Sequence, residues 1–323
     1  MRKRLALFFL SSFLSGLFFL GLNLFERNVQ SFASSVIISR QPQLASASLN
    51  QKLSLEKKQR FQRIKIEKLD ITAKSAISVE FSKKGESWIV FQKNPDERRP
   101  IASLTKLMTA LVVFDLNETY KLDAPIKITK KAIKQEGDFG QLREGEKLSV
   151  KNLLYIALIE SSNDAAYALS ELIGERAFVD LMNIFAKDIE LENTHFFNPT
   201  GLEPDDPSEP LNYSTAQDLV KLSQYILRNY PQIFEITRNF SYEVFKEDGT
   251  LHHFIPENTN KLLVEFPEMI GGKTGWSPKA GGCLLTIIEE PATGNYFINV
   301  FLGSDDRFED MRKIINEIKA QWK

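Results

Sequence analysis

Strand-like segments sit at both ends of the long C-terminal part of this chain, with helical ones between them, and that order restricts the fold more than any other feature. Residues 75–80 and 87–92 are β-rich and flank Ser82-Lys83-Lys84-Gly85-Glu86, the pattern of a hairpin. Ser103 opens a helical run over 104–114 that is apolar on nearly every face and is therefore expected to be buried. Ser149 caps a second helix carrying Leu153, Leu154, Ala157 and Leu158, and a third spans 164–173. Ser214-Thr215-Ala216-Gln217 reads as a capping box for another, through about Leu227. Strands return at 283–289 and 295–303, joined by Pro291-Ala292-Thr293-Gly294. An amphipathic helix follows, with Phe308, Met311, Ile315 and Ile318 on one face. One antiparallel sheet completed by both ends of the domain, flanked by helices and carrying an inserted all-helical lobe, satisfies this order: an α+β fold.

The 323 residues are enough to bury a sizeable core, and 43% hydrophobic with 26% charged residues is ordinary globular composition. Forty-one Lys and Arg against 42 Asp and Glu leave a net charge of -1, with no basic stripe interleaved with aromatics, so nucleic acid is not an expected partner. Cys283 is the only cysteine, which excludes an intramolecular disulfide; within Gly281-Gly282-Cys283-Leu284-Leu285 it reads as a small buried apolar residue. His195, His252 and His253 lack metal-ligand spacing, so neither a metal nor another cofactor is expected.

Arg2, Lys3 and Arg4 precede an apolar run over 5–25, long enough to cross the ~30 Å hydrocarbon layer as a helix. The cations place the N-terminus in the cytoplasm and the remainder outside. The run reads as an uncleaved signal-anchor, with a cleaved signal ending near Ser31-Phe32-Ala33 as the alternative. A single-pass membrane protein with an extracytoplasmic domain follows from the first reading, a secreted one from the second. Residues 28–72, rich first in Ser, Gln and Ala and then in Lys and Glu, read as a tether.

Three short motifs occur in order: Ser103-Leu104-Thr105-Lys106, Ser161-Ser162-Asn163 and Lys273-Thr274-Gly275. Ser and Lys three apart at a helix start share a face, so the amine reaches the hydroxyl. A serine is a weak nucleophile until a base takes its proton. Lysine serves only if burial or a second cation lowers its pKa well below ~10.4, and the apolar helix and Lys273 supply both. Ser161 is suited to relaying a proton, and the Asn163 amide to holding Lys106 and a substrate amide. Lys273 and Thr274, at the start of an exposed strand, suit a carboxylate, and Gly275 lets a peptide backbone lie close. The backbone N–H groups of Ser103 and Trp276 then form an oxyanion hole. Single matches are weak: Ser54-Leu55-Glu56-Lys57 and Ser48-Leu49-Asn50 repeat two of the patterns inside the tether. The ordered trio on suitable elements is what is specific.

This grouping is that of penicillin-binding proteins and class A β-lactamases. More narrowly, from about Ser75 to Phe301 the chain resembles the low-molecular-mass D-alanyl-D-alanine carboxypeptidases of DacA/DacF type. The likeness includes Asn94-Pro95-Asp96, Ile101 through Thr109, Ser162 through Ala166, Phe197-Asn198-Pro199-Thr200-Gly201-Leu202 and Gly272 through Gly275 followed by Lys279-Ala280-Gly281. It implies a β-lactamase/transpeptidase-like fold, with Ser103 the acyl-enzyme nucleophile, Lys106 the base, Ser161 and Asn163 completing the catalytic group, and Lys273 and Thr274 holding the terminal carboxylate. Peptidoglycan stem peptides are then the substrate and β-lactams covalent inhibitors. The chain divides into 1–27 (anchor or signal), 28–72 (tether) and 73–323 (catalytic domain). Two departures stand out. Thr259 occupies the place between Asn258 and Asn260 where the family often has Arg, and Asn212 that of a usual His before Tyr-Ser. Many relatives carry a further C-terminal β-domain and amphipathic anchor; this chain stops after one helix, so the N-terminal run is the expected anchor.

A DD-endopeptidase cutting cross-links would use the same trio. A β-lactamase needs a deacylating base, commonly in Glu-x-x-Leu-Asn, and Glu209-Pro210-Leu211-Asn212 is one residue too short. A catalytically silent wall-binding module would not require the intact Ser103 and Lys106 pair.

Overall fold

In the computed structural model, residues 64–137 and 139–322 are described. The apolar run at 5–25 and the tether up to residue 63 lie outside them, and among the described residues no helix is long and apolar enough to cross a membrane.

In chain order, β1 (Ser75–Phe81) and β2 (Ser87–Lys93) form the expected hairpin, followed by the short β3 (Arg99–Pro100). Helix α1 (Lys106–Asp115) starts the helical block, which continues through β4 (Pro125–Lys127), β5 (Lys147–Ser149), α2 (Val150–Tyr155), α3 (Asn163–Glu171), α4 (Glu175–Asp188), β6 (Tyr213–Ser214), α5 (Ala216–Asn229) and α6 (Gln232–Thr237). Next come the small hairpin β7 (Tyr242–Phe245) and β8 (Leu251–Ile255), the long strands β9 (Met269–Ser277), β10 (Gly281–Glu289) and β11 (Tyr296–Ser304), and helix α7 (Arg307–Ala320).

The main sheet has the order β2-β1-β11-β10-β9, with every pairing antiparallel. The first long strand therefore pairs with the last, Ile77 opposite Val300, as the strand–helix–strand order requires. Alternation along β11 splits it between two cores. Phe297 and Phe301 face α7 with Met311, Ile314, Ile315 and Ile318, whereas Ile298, Val300 and Leu302 face the helical lobe. Both faces being covered, β10 and β11 read as apolar runs without polar alternation.

The packed domain begins at Ile64, before the expected boundary at residue 73. Ile66, Ile71 and Ala73 are buried in the core beneath α7, and the Ile66 N–H donates to Val90 O at 2.8 Å. The capping box at Ser214 is displaced by one residue. Thr215 is the N-cap of α5 and accepts from the Asp218 N–H at 3.0 Å, while the Ser214 hydroxyl meets Thr194 Oγ1.

Candidate active site

The site lies where the lobe meets edge strand β9. Ile101 is fully buried and Ala102 has φ +45°, a left-handed backbone that turns the chain sharply into a 3₁₀ turn at Ala102–Thr105. Ser103 sits within this turn and does not cap the helix: the turn has no side-chain cap, and α1 starts only at Lys106. Its hydroxyl is thus not spent on the backbone. Gly201 makes the turn possible, because a Cβ there would lie 2.0 Å from Ala102 O.

Lys106, on the first turn of α1, points back over the preceding turn, as long helical side chains do. Its Nζ lies 2.9 Å from Ser103 Oγ, 2.7 Å from Asn163 Oδ1 and 2.8 Å from Thr200 O. The third partner comes from Asn198-Pro199-Thr200-Gly201, a turn organised by Asn198 Oδ1, which accepts from the Thr200 and Gly201 N–H groups. Asn-Pro and Gly mark a turn in the sequence, but nothing there says that its carbonyl would meet a lysine.

A π-helical turn, Ile156–Glu160, delivers Ser161 in the left-handed region (φ +66°). π-turns interrupt helices frequently at functional sites. Ser162 then caps α3 by accepting from the Ala165 N–H at 3.2 Å, and its hydroxyl donates to Phe139 O at 2.7 Å. The sequence assigned Ser162 no task. Asn163 is the first residue of α3, its amide donating to Glu136 O at 2.6 Å while its oxygen faces Lys106.

Lys273, Thr274 and Gly275 lie in the middle of β9, not at the start of an exposed strand. The lobe packs over this edge, leaving Lys273 and Thr274 buried. Lys273 Nζ donates to Ser161 Oγ at 2.8 Å, joining β9 to the loop. Thr274 Oγ1 donates to Thr259 Oγ1 at 2.7 Å, so Thr259 is built into the site where relatives often have Arg. A Cβ on Gly275 would lie 3.0 Å from Ser103 N and 3.0 Å from Ile101 O; the backbone this glycine admits is that of the Ser103 turn itself. Arg307 Nη1 donates to Gly275 O at 3.3 Å, a contact the sequence did not signal. The Trp276 side chain is exposed. Asn212, in place of the usual His, accepts from the Phe197 and Asn198 N–H groups and donates to Thr105 Oγ1. Glu209 is exposed on the preceding loop.

Burial drives the Lys106 pKa well below the usual lysine range, helped by the nearby Lys273 charge. Burial, with Arg307 adding repulsion, pulls Lys273 down to about 7. Valence at Lys106 then fixes the direction of its bonds. A neutral amine has two N–H groups and one lone pair. The two carbonyl-type oxygens of Asn163 and Thr200 only accept, so they take both protons, and the lone pair is left facing the Ser103 hydroxyl. That geometry can remove a proton from Ser103. Among the described residues no group of three or more His, Cys, Asp or Glu is placed to hold a metal ion. Cys283, the cross-strand partner of Gly275, is fully buried with its Sγ 3.7 Å from Pro100 O.

The sequence profile of the D-alanyl-D-alanine carboxypeptidase family matches residues 62–305. The chain belongs to that family. The carboxypeptidase DacF of Bacillus subtilis is 34% identical over 216 residues, 66% of this chain and 53% of the relative. This member thus spans about half the length of that protein. The D-alanyl-D-alanine endopeptidase of Escherichia coli is 33% identical over 233 residues, 70% of this chain and 71% of the relative. Among solved structures, the Streptomyces K15 DD-transpeptidase superposes with a TM-score of 0.69 at 29% identity, covering 79% of this chain and 100% of that one. The carboxypeptidase family's fold is thus the one built here, an antiparallel sheet with a helical lobe inserted between its strands.

Proposed function

We propose that the chain is a serine-type D-alanyl-D-alanine carboxypeptidase that removes the terminal D-alanine from peptidoglycan stem peptides. The observation that carries this reading is the Lys106 amine, buried, bonded to two acceptors and 2.9 Å from Ser103 Oγ. Ser103 Oγ attacks the carbonyl of the penultimate D-alanine while its proton passes to Lys106 Nζ. The N–H groups of Ser103 and Trp276 stabilise the oxyanion; losing one such donor typically costs about 3 kcal/mol of transition-state stabilisation. The C–N bond breaks, the leaving amine takes a proton delivered through Ser161 and Lys106, and the terminal D-alanine departs. Water then hydrolyses the Ser103 ester, its proton leaving to the same base. Lys273 as a cation, with Thr274, holds the terminal carboxylate. A penicillin, whose strained amide enters the same path, forms a long-lived ester on Ser103.

Mass spectrometry of the penicillin adduct tests this. The expected outcome is one adduct on the peptide containing Ser103 and none in Ser103→Ala, which also releases no D-alanine from a pentapeptide. Labelling elsewhere, or an active S103A chain, would overturn the assignment. Rapid turnover of many penicillins per chain would mark a β-lactamase instead.

Cleavage of cross-links is the second reading, supported by the Escherichia coli endopeptidase, of whose length this chain covers 71%. Digesting a pentapeptide and a cross-linked muropeptide dimer side by side separates the two. The site is expected to work outside the cytoplasm, tethered by residues 28–63 to a membrane helix at 5–25; intact-mass measurement of the mature protein tells an anchor from a cleaved signal.

A further inference from the structure

Ser161 adopts a backbone that a serine takes reluctantly, and Glu160 before it is tied into a partly buried row of side chains from another part of the fold. His252 and His253 are neighbours on β8. His253 Nε2 lies 3.2 Å from Glu160 Oε2, the two Nδ1 atoms are 2.6 Å apart, and His252 Nε2 lies 3.1 Å from Glu146 Oε2. The His252 and His253 side chains are 4% and 3% exposed.

Three hydrogen bonds join four groups, and the two outer groups are carboxylates, which only accept. Three protons are needed, and two neutral imidazoles offer two. With every bond made, the row holds one proton beyond neutral rings and ionised carboxylates. Remove it and two lone pairs face each other, either between the Nδ1 atoms or at a carboxylate.

We infer that the row Glu146, His252, His253, Glu160 positions the Ser161 turn, and that it does so fully only while it holds this extra proton. The inference rests on Ser161 acting in the reaction proposed above. The carboxylates of Glu146 and Glu160 favour the proton, and Lys246 from the same hairpin opposes it. Burial lowers the His252 pKa, with Glu146 opposing the fall. The proton therefore leaves as the pH rises through the range below the ordinary imidazole value of about 6.5, and one link opens.

Two measurements on the full chain test this. First, the rate of acylation by a fluorescent penicillin is followed from pH 5 to pH 8 in the wild type, H253A and H253Q. The wild-type rate is expected to exceed that of H253A by about tenfold at pH 5, in line with one hydrogen bond to a charged group, and the ratio to fall by pH 8. H253Q, whose amide donates to Glu160 without titrating, restores the rate at pH 5. A ratio that does not change with pH indicates mere structural support and overturns the inference. Second, ¹⁵N NMR of the imidazoles, with His195→Gln to remove the third ring, is expected to show the extra proton at pH 5. E146Q, three links from the Ser161 turn, should move its loss to lower pH. Two neutral rings at pH 5, or a titration unmoved by E146Q, also overturn it. A wild-type chain that no penicillin acylates would sink the proposed reaction, while the NMR titration still decides the proton count.

Discussion

Lys106 and Lys273 are buried with hydrogen bonds only to uncharged oxygens. Such amines are useful because their protons leave easily, and for the same reason they weaken the fold. The Lys273 pKa falls from 10.5 to about 7, so across that window the unfolded chain holds a proton that the folded chain has released. The Lys273 contribution to stability is therefore most favourable above about pH 10.5 and is lost progressively as the pH falls to about 7. Lys273→Met should gain about 3 kcal/mol near pH 7, flatten the rise of Tm between pH 7 and 10, and abolish D-alanine release. A variant whose Tm climbs as steeply as the wild type's would refute the burial argument. Activity follows the same two groups. On the proposed reaction it is expected to rise with pH as Lys106 becomes neutral and to fall above about 7 as Lys273 loses its charge, a bell measurable in kcat/KM.

At the scale of elements, the Ser161 loop shows how much rests on one cap. The Ser162 hydroxyl accepts from Ala165 N–H and donates to Phe139 O, fixing the start of α3 and with it Asn163. Ser162→Ala should cost about 1–2 kcal/mol in denaturant unfolding and slow acylation, with Ser103 and Lys106 untouched. Strands and helices were largely legible: the β1–β2 hairpin, the buried α1 and the α7 face follow from periodicity, and the motif trio from spacing. What the sequence hid depends on long-range packing. Ser103 reads as the residue that opens the helix because the left-handed backbone at Ala102, which starts a separate turn, has no residue signature, alanine being a poor candidate for it. Lys273 reads as exposed because strand pattern alone does not show that the lobe covers β9. Thr215 displaced Ser214 as the cap because Ser214 is engaged by Thr194. The carbonyl of Thr200 and the guanidinium of Arg307 were invisible, since neither partner is close in sequence to what it touches.

At the scale of the molecule, Asp310 gathers distant parts of the chain. This buried carboxylate accepts from the Thr72 and Ala73 N–H groups and from the Thr72 and Ser304 hydroxyls. It fastens the segment before β1, the end of β11 and the start of α7. Removing it strands four donors, so Asp310→Ala should destabilise the domain by about 3 kcal/mol or more and expose residues near 64–74 to limited proteolysis. Equal protease resistance in variant and parent would argue that the segment is held by its apolar contacts alone.

The pairing of β1 with β11 has a consequence for biosynthesis. Ser75 and Leu302 are partners in the ladder. A ribosome that has released only the first of them leaves β1 with its inner edge bare, and no shorter chain can supply the missing neighbour. Folding of this sheet is thereby postponed until the chain has emerged past residue 302, as expected where most of the closing contacts are remote in sequence. During that interval the chain stays threadable, and the Ser103 turn lacks the completed sheet against which it packs.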